Sequence, residues 1–198
     1  MLLYYITDRS QFAGTEAARR SRLLEKIHEA ADARVDFIQL REKDLSGRGL
    51  ELLARDALGA IEGSKARLLI NSRSDVALAC GAHGVHLRSD DISVAEARKV
   101  VKSAGNWLVF VSCHSTADVS RASESDMAIF APVFEKKETH PAGIQGLREA
   151  CRFGVPVIAL GGVTVANARS CIEAGAAGVA GIRLFQESNV AQVVKMLS

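Results

Sequence analysis

Eight short apolar segments recur along the 198-residue chain, and a pattern typical of an amphipathic helix follows each of them. The predicted strands are Leu2 to Thr7, Val35 to Leu40, Arg67 to Ile70, Gly84 to Leu87, Trp107 to Ser112, Met127 to Ala131, Pro156 to Leu160 and Gly178 to Ile182. They lack a clean alternation of apolar and polar residues, which indicates burial on both faces, as in a parallel sheet. No linker or change of composition divides the repeats, so we expect a single domain over residues 1–198.

Two α/β architectures have strands that alternate with helices in this way: an open doubly wound sheet and a closed (β/α)8 barrel of the TIM type. An open sheet that binds dinucleotides carries a G-x-G-x-x-G motif after its first strand, and this chain has none there. Eight repeats in so short a chain favour the closed barrel. Hydrophobic residues make up 48% of the chain and aromatic residues only 5%, which predicts a core of Ala, Val, Leu and Ile.

The net charge indicates which partners the protein is not expected to bind by charge alone, and the cysteine content indicates the redox state of its compartment. The net charge of +2 is too small to indicate nucleic acid or a membrane surface as a partner. The four cysteines have neither C-x-x-C spacing nor histidines at the intervals of a zinc finger, and they lie among small apolar residues. The N-terminus lacks a basic segment and a cleavage site, and no apolar run could span a bilayer. We therefore expect a cytoplasmic protein with reduced thiols.

The second predicted strand ends in a group of polar and charged residues, Gln39-Leu40-Arg41-Glu42-Lys43. The alternation of a strand places Gln39, Arg41 and Lys43 on one side and Leu40 and Glu42 on the other. An amide, a guanidinium and an ammonium that converge on one point form a good receptor for a diphosphate. The alternative interpretation is a strand end whose charges are only solvated.

Glycines follow the last two predicted strands. In (β/α)8 barrels the active site lies at the C-terminal ends of the strands, and phosphate groups often bind after strands seven and eight. Here Gly161-Gly162 follows strand seven and Gly181 lies near the end of strand eight. Backbone N–H groups approach an anion closely where no Cβ intervenes, so this position favours phosphate binding over a turn that merely needs glycine.

These motifs are similar to those of the thiamine phosphate synthase/TenI family. The resemblance rests on YYITDR, IQLREK, INSRSDVALACGAHGVHL, SDD, VSCH, APVF and PVIALGGV, which occur in the family's order over nearly the whole chain. Synthases of this family join hydroxymethylpyrimidine diphosphate to a thiazole phosphate and release diphosphate. The TenI-like branch isomerises a carboxythiazole phosphate. The resemblance therefore implies an enzyme of thiamine biosynthesis that acts on small phosphorylated substrates.

The resemblance also implies roles for individual residues. The implied substrate-binding residues are Gln39, Arg41, Lys43, Asn71, Ser112, Lys136, Gly161, Gly162 and Arg183. Of these, Gly161 and Gly162 would hold the thiazole phosphate. The pyrimidine diphosphate would be bound by Gln39, Arg41, Lys43, Asn71 and Ser112. The implied catalytic residues are Lys43, Ser112 and His114. His114 corresponds to the acid/base histidine of TenI-like tautomerases, although many synthases have a histidine there too.

Several positions depart from the synthase pattern, and most of the departures favour positive charge. In synthases two aspartates hold a magnesium ion; Asp91 keeps one of these places, and Ser72 stands at the other. Arg88, Lys136 and Arg183 add positive charge, while Glu138 adds a negative one. We therefore expect a weakened Mg²⁺ site, in which a nearby cation replaces part of the metal's charge.

The intact diphosphate receptor favours a thiamine phosphate synthase, because a tautomerase needs no such receptor. Two alternatives stay open: a TenI-like thiazole tautomerase that uses His114, and a non-catalytic barrel that binds thiazole or thiamine phosphates and acts through a partner. The sequence leaves a homo-oligomer open as well.

Overall fold

Eight parallel strands close into a barrel in the order in which they occur along the chain. The structure, a computed structural model, describes residues 1–100, 107–134 and 140–197. The strands are β1 (Leu2–Ile6), β2 (Phe37–Leu40), β3 (Arg67–Asn71), β4 (Gly84–Leu87), β5 (Leu108–Cys113), β6 (Met127–Phe130), β7 (Val157–Ala159) and β8 (Gly178–Gly181). Each strand pairs in parallel with the next, and β8 closes the ring by pairing with β1, with Gly178 opposite Leu2. The predicted (β/α)8 barrel of the α/β class is confirmed.

Helices surround the barrel. They are α1 (Glu16–Asp32), α2 (Gly47–Ala60), α3 (Ser74–Cys80), α4 (Val94–Val100), α5 (Thr116–Arg121), α6 (Gly143–Ala150), α7 (Ala168–Glu173), α8 (Arg183–Gln186) and α9 (Val190–Leu197). The hydroxyls of Thr15 and Ser46 accept backbone N–H bonds at the starts of α1 and α2. None of the helices in the described ranges combines the length and the apolar character that a membrane span requires.

The sequence did not predict two short elements. A 3₁₀ turn at Arg9–Gln11 follows β1, and α8 follows β8 directly. Both elements lie at the C-terminal end of the barrel, and α8 begins with Arg183. The ends of the predicted strands otherwise differ from the observed ones by one or two residues, and β4 has the predicted bounds.

The interior of the barrel is a packed layer rather than a channel. Its buried side chains are Tyr4, Ile6, Leu69, Phe110, Ile129, Ile158 and Ala180. The rings of Tyr4 and Phe110 meet edge to face, with centroids 5.4 Å apart and planes at 81°. The predicted core of Ala, Val, Leu and Ile describes the layer between strands and helices well, whereas aromatic rings occupy the centre of the barrel. This inner layer of apolar side chains forms the bottom of the cavity described below.

The cysteines behave as small apolar residues. All four are free; Cys80, Cys113 and Cys171 are buried, and Cys151 is half-buried. Burial raises the pKa of Cys113 to about 12, so its thiol stays protonated near neutral pH.

Candidate active site

A cavity of about 650 Å³ opens at the C-terminal ends of the strands, above the inner layer. Six of the residues predicted for the site line it together: Gln39, Arg41, Lys43, Asn71, Ser112 and His114. They lie near the ends of three strands, β2, β3 and β5, or just after them, so one side of the cavity is polar. Gly161, after β7, lies across the mouth of the barrel from them, because β3 and β7 are opposite in an eight-stranded ring.

The polar side of the cavity carries unbalanced positive charge. Arg41 and Lys43 follow β2, and Arg88 follows β4. The positive charge of Arg41, followed by burial and the charge of Arg88, lowers the pKa of Lys43, so the neighbouring cations disfavour its charged form. Arg88 forms an ion pair with Asp90, whereas Arg41 and Lys43 form none with any described residue. A group of this kind attracts a multiply charged anion.

A buried ion pair fixes the direction in which Arg41 and Lys43 point. Glu42 lies between them and is only 5% exposed, and Arg9, from the loop after β1, is 4% exposed. Glu42 Oε2 accepts hydrogen bonds from Arg9 Nη1 at 3.1 Å and from the Arg9 backbone N–H at 3.0 Å. Arg9 also donates to both carboxylate oxygens of Asp44, at 2.7 and 2.8 Å. Arg9 thus holds Glu42 and Asp44, the two neighbours of Lys43 in the chain, and the side chain of Lys43 faces the cavity.

Thr7 completes this arrangement, to which we refer as the Arg9 clamp (Thr7, Arg9, Glu42 and Asp44). Its hydroxyl donates to Glu42 Oε1 at 2.6 Å and accepts the backbone N–H of Arg41 at 3.0 Å. Burial raises the pKa of Glu42, and the hydrogen bonds from Thr7 and Arg9 offset part of that rise. The predicted alternation of side chains thus continues past the end of β2, because the clamp holds Glu42 on the side away from the cavity.

An amide chain lies beside the cations. Gln39, which is almost fully buried, donates from Nε2 to Asn71 Oδ1 at 3.3 Å, and Asn71 Nδ2 donates to Ser72 Oγ at 3.0 Å. Ser72 has a positive φ of 61°, which marks a sharp turn from β3 into α3. Gln39 Oε1 accepts no hydrogen bond from the described residues, so it is available to accept one from a ligand.

Ser112 stands at the end of a buried row of hydrogen-bonding groups that the sequence did not predict. Its Oγ lies 2.9 Å from His86 Nε2, and His86 Nδ1 lies 3.0 Å from Tyr4 Oη. Burial, followed by the charge of Arg41, lowers the pKa of His86 to about 3, so the ring is neutral. The signal in the sequence was a single histidine inside the apolar strand Gly84–Leu87, a pattern that more often marks a core residue.

His114 lies on the cavity wall just after β5, and it is exposed. Its Nδ1 lies 2.8 Å from the backbone oxygen of Ala131. A carbonyl oxygen can only accept, so Nδ1 carries the proton, and in the neutral ring Nε2 is left as an acceptor. The ring is therefore oriented by the backbone and has one nitrogen able to take up a proton.

The glycines after β7 adopt a backbone conformation that suits an anion cradle. Gly161 and Gly162 have positive φ values of 93° and 66°. A Cβ at Gly161 would lie 2.7 Å from Pro132 Cα, so no other residue fits there without a backbone shift. Gly161 lines the cavity, whereas Gly162 and Arg183 are not part of its lining. The roles predicted for Gly162 and Arg183 remain predictions.

The predicted metal ligand, Asp91, lies at the edge of the site. It lines a smaller neighbouring cavity of about 240 Å³, which shares Arg88 and Ser112 with the main one. Asp91 Oδ2 accepts the backbone N–H of Arg88 at 2.7 Å. In the described ranges, no group of three or more His, Cys, Asp or Glu side chains is arranged to hold a metal ion. Lys136 and Glu138, the other charged positions predicted here, lie outside the described residues.

A closed (β/α)8 barrel with a positively charged cavity at the C-terminal ends of its strands defines the class of protein. Within that class, the family model described as thiamine monophosphate synthase (TMP-TENI) matches residues 3–185. The chain therefore belongs to the thiamine monophosphate synthase/TenI family, as its motifs predict.

Individual relatives agree with this assignment. The thiamine-phosphate synthase of Albidiferax ferrireducens is 38% identical over 189 residues, which cover 90% of this chain and 81% of the relative. That of Methanoculleus marisnigri is 36% identical over 185 residues, 90% of this chain and 84% of the relative. The solved structure of thiamine phosphate pyrophosphorylase from Pyrococcus furiosus is 26% identical, with a TM-score of 0.85, and the match covers 99% of this chain and 93% of that one.

The Arg9 clamp yields a prediction about a residue outside the cavity. Glu42→Gln keeps the shape of the side chain but places an amide N–H against the donors of Arg9. We expect it to lower the free energy of unfolding by about 3 kcal/mol, as is typical when one partner of a buried ion pair is removed. We also expect weaker binding of inorganic diphosphate, because Arg41 and Lys43 lose their fixed direction. Urea unfolding and titration calorimetry measure the two effects.

Glu16→Gln is the matched control for this prediction. Glu16 also pairs with Arg9, at 2.8 Å, but its side chain is 60% exposed, so its loss should change stability by less than about 1 kcal/mol. Equal effects of the two substitutions, or a stable Glu42→Gln variant with unchanged affinity, would contradict the role of the clamp.

Proposed function

We propose that this protein is a thiamine phosphate synthase, a transferase that joins hydroxymethylpyrimidine diphosphate to thiazole phosphate and releases diphosphate. One observation carries the proposal: a single cavity has cations at one end and a positive-φ glycine backbone at the other, on opposite sides of the barrel mouth, and both features suit anions. One end has the cations Arg41, Lys43 and Arg88, and the other has the backbone at Gly161. Two phosphorylated substrates that react with each other need such a site.

The reaction breaks the bond between the pyrimidine methylene carbon and a diphosphate oxygen, which keeps the electron pair. The thiazole nitrogen then bonds to the carbon. Negative charge thus develops on the leaving diphosphate, where Arg41 and Lys43 stabilise it more strongly than in the ground state. Gly161 holds the phosphate of the second substrate, and this fixes the position of the thiazole nitrogen. Ser112, between the two ends, contacts the diphosphate.

The residues present fit a weakly held magnesium ion. Magnesium needs only one or two carboxylates when phosphate oxygens and water supply its other ligands. Asp91 would provide one carboxylate, whereas Asp90 is paired with Arg88 and Ser72 accepts a hydrogen bond from Asn71. When bound, the metal would neutralise part of the charge on the diphosphate. Arg41, Lys43 and Arg88 would supply the remainder.

The substrates in this proposal are both small phosphorylated molecules, and neither nucleic acid nor a membrane takes part. We propose a cytoplasmic location for the same reaction. The four free cysteines support this location, because thiols stay reduced in the cytoplasm.

A second candidate is a TenI-like thiazole tautomerase, and the orientation of His114 favours it. The Ala131 oxygen holds the proton on Nδ1, and this leaves Nε2 as a base at the cavity wall. The same geometry is compatible with a synthase in which His114 plays no part in proton transfer. Activity measurements separate the two.

The test of the proposed function uses the purified protein with both synthase substrates and, separately, with carboxythiazole phosphate. We expect thiamine phosphate and diphosphate to form in equal amounts, with no isomerisation of the carboxythiazole. A His114→Asn variant should retain synthase activity. Isomerisation without synthesis would establish the tautomerase instead. Binding of both substrates without any turnover would indicate a non-catalytic binding protein.

Substitution of Arg41 tests the diphosphate end by itself. Arg41→Ala should weaken the binding of inorganic diphosphate by about 2 to 3 kcal/mol, the usual loss for a charge-assisted contact. Arg41→Lys should recover little, because a point charge replaces a planar fork. Arg67→Ala removes an arginine at the opposite end of the barrel, the first residue of β3, and serves as the control for net charge. Titration calorimetry would refute the assignment if the Arg41 and Arg67 variants bound alike.

Magnesium dependence provides a further prediction. An opposite charge about 4 Å away contributes roughly 4 kcal/mol at an effective dielectric of 20, before desolvation is subtracted, so one cation can replace part of the metal's effect. We expect activity to persist at low magnesium and Ser72→Asp to raise the affinity for the metal. Arg88→Gly should raise it further. The measurement is activity across a magnesium titration with and without chelator. A steep requirement that Ser72→Asp leaves unchanged would contradict this expectation.

A further inference from the structure

We propose that Tyr4 and His86 are positioning residues that hold the hydroxyl proton of Ser112 toward the cavity. Ser112 then donates a hydrogen bond to the leaving diphosphate. The proposal concerns three groups in a row: Tyr4 Oη, 3.0 Å from His86 Nδ1, and His86 Nε2, 2.9 Å from Ser112 Oγ. It rests on the proposed synthase function for its last step, whereas the location of the protons follows from the row itself.

The first proton to place is that of Tyr4. This side chain is fully buried in the inner layer of the barrel, against the edges of Phe37 and Phe110. Burial raises the pKa of Tyr4 well above its ordinary value, so the hydroxyl keeps its proton. His86 Nδ1 is its hydrogen-bond partner among the described residues. A buried hydroxyl proton needs an acceptor, so Tyr4 donates to Nδ1, and Nδ1 must be the nitrogen with the lone pair.

The second proton to place is that of the imidazole. Burial and the nearby charge of Arg41 keep His86 neutral, so the ring has one proton for its two nitrogens. Nδ1 accepts from Tyr4, and the proton is therefore on Nε2. Nε2–H donates to Ser112 Oγ, the polar atom within reach.

The proton of Ser112 is placed last. Its oxygen already accepts a hydrogen bond from His86, so its own O–H cannot point at that nitrogen. No other described residue accepts it, and Ser112 lines the cavity. The O–H is therefore directed into the cavity.

The opposite orientation of the row gives a different site. If Nδ1 carried the proton, the Tyr4 proton would have no acceptor in the described structure. Ser112 would also have to donate to Nε2, so that it could offer only a lone pair to the cavity. Diphosphate oxygens are acceptors too, and this arrangement would repel them. Only the first orientation makes Ser112 attractive to the leaving group.

A hydrogen bond from the Ser112 hydroxyl to the leaving diphosphate would accelerate the reaction. Charge on the diphosphate oxygen grows as its bond to carbon breaks, so a fixed donor stabilises the transition state more than the ground state. The step needs no proton transfer: Ser112 keeps its proton, and the diphosphate leaves with the electron pair. Tyr4 and His86 act only through Ser112.

The location of the protons is tested first by NMR on the unmodified protein with ¹⁵N-labelled histidine. The chain has 5 histidines, and a His86→Gln variant identifies the signals of His86. We expect a neutral ring protonated on Nε2, unchanged between about pH 5 and pH 8, where an ordinary histidine titrates. Protonation on Nδ1, or titration in this range, would overturn the proposal. This measurement does not depend on enzyme activity.

The effect on the reaction is tested with Tyr4→Phe, Ser112→Ala and the double variant. Removal of one fixed donor lowers kcat by about a hundredfold in comparable sites, which we expect for Ser112→Ala. Tyr4→Phe frees the imidazole to change tautomer, and we expect kcat to fall about tenfold with little change in KM. Because Tyr4 acts through Ser112, the double variant should be no slower than Ser112→Ala alone. Additive losses would overturn the proposal.

Tyr5→Phe is the matched control. Tyr5 is the next residue of β1, is equally buried, and donates its hydroxyl proton to Gln186 Oε1 at 2.9 Å, away from His86. We expect kcat within about twofold of the unmodified protein. An equal loss of kcat in Tyr4→Phe and Tyr5→Phe would show a general packing effect and overturn the proposal. If the unmodified protein makes no thiamine phosphate, the proposed function fails, while the NMR result still decides where the protons lie.

Discussion

The buried ion pair between Arg9 and Glu42 is the interaction on which the rest of the site depends. Two charges that are almost inaccessible to water are stable only when every donor and acceptor is used, and here Thr7, Asp44 and backbone N–H groups complete the set. The clamp joins the loop after β1 to the loop after β2. The clamp holds Glu42 and Asp44 on the side away from the cavity. Arg41, which precedes Glu42, and Lys43, which lies between the two acids, therefore point to the other side. A structural pair outside the cavity thus sets the direction of the cations within it.

The inner layer of the barrel provides the second constraint. The rings of Tyr4 and Phe110 pack there with the aliphatic side chains of Ile6, Leu69 and Ile129, so buried apolar groups lie beneath the cavity. Because these surroundings are apolar, His86 stays neutral. The hydrogen bonds in the row from Tyr4 through His86 to Ser112 then run in one direction, as we propose above. Electrostatic interactions are also stronger here than in water, so a few correctly placed groups at the floor and wall suffice to act on a diphosphate.

The sequence predicted the barrel well because its signal is repeated eight times. Each apolar segment is short and is followed by a helical pattern, so small errors at the ends did not change the topology. The residues after β2 and β7 that line the cavity could also be singled out, because polar residues and paired glycines stand out at strand ends. The family resemblance then placed Asn71, Ser112 and His114 in the same cavity.

What the sequence did not predict depends on tertiary contacts. Arg9 looks like an exposed charge in the sequence, and its burial follows only from the convergence of Glu42 and Asp44. The short helix α8 is held by Gln186, whose side chain accepts the Tyr5 hydroxyl and the Asp8 N–H, both far away in sequence. His86 lies inside an apolar strand, and its role follows only from its distances to Tyr4 and Ser112. None of these pairings leaves a periodic pattern along the chain.

The central claim is that one cavity binds two anions at opposite ends, and a crystal structure tests it most directly. Crystals grown with thiamine phosphate and inorganic diphosphate, the two products, would show both anions at once. We expect the diphosphate against Arg41 and Lys43 and the phosphate of thiamine phosphate against the backbone of Gly161. Diphosphate at Gly161, or both anions at the same end of the cavity, would contradict it.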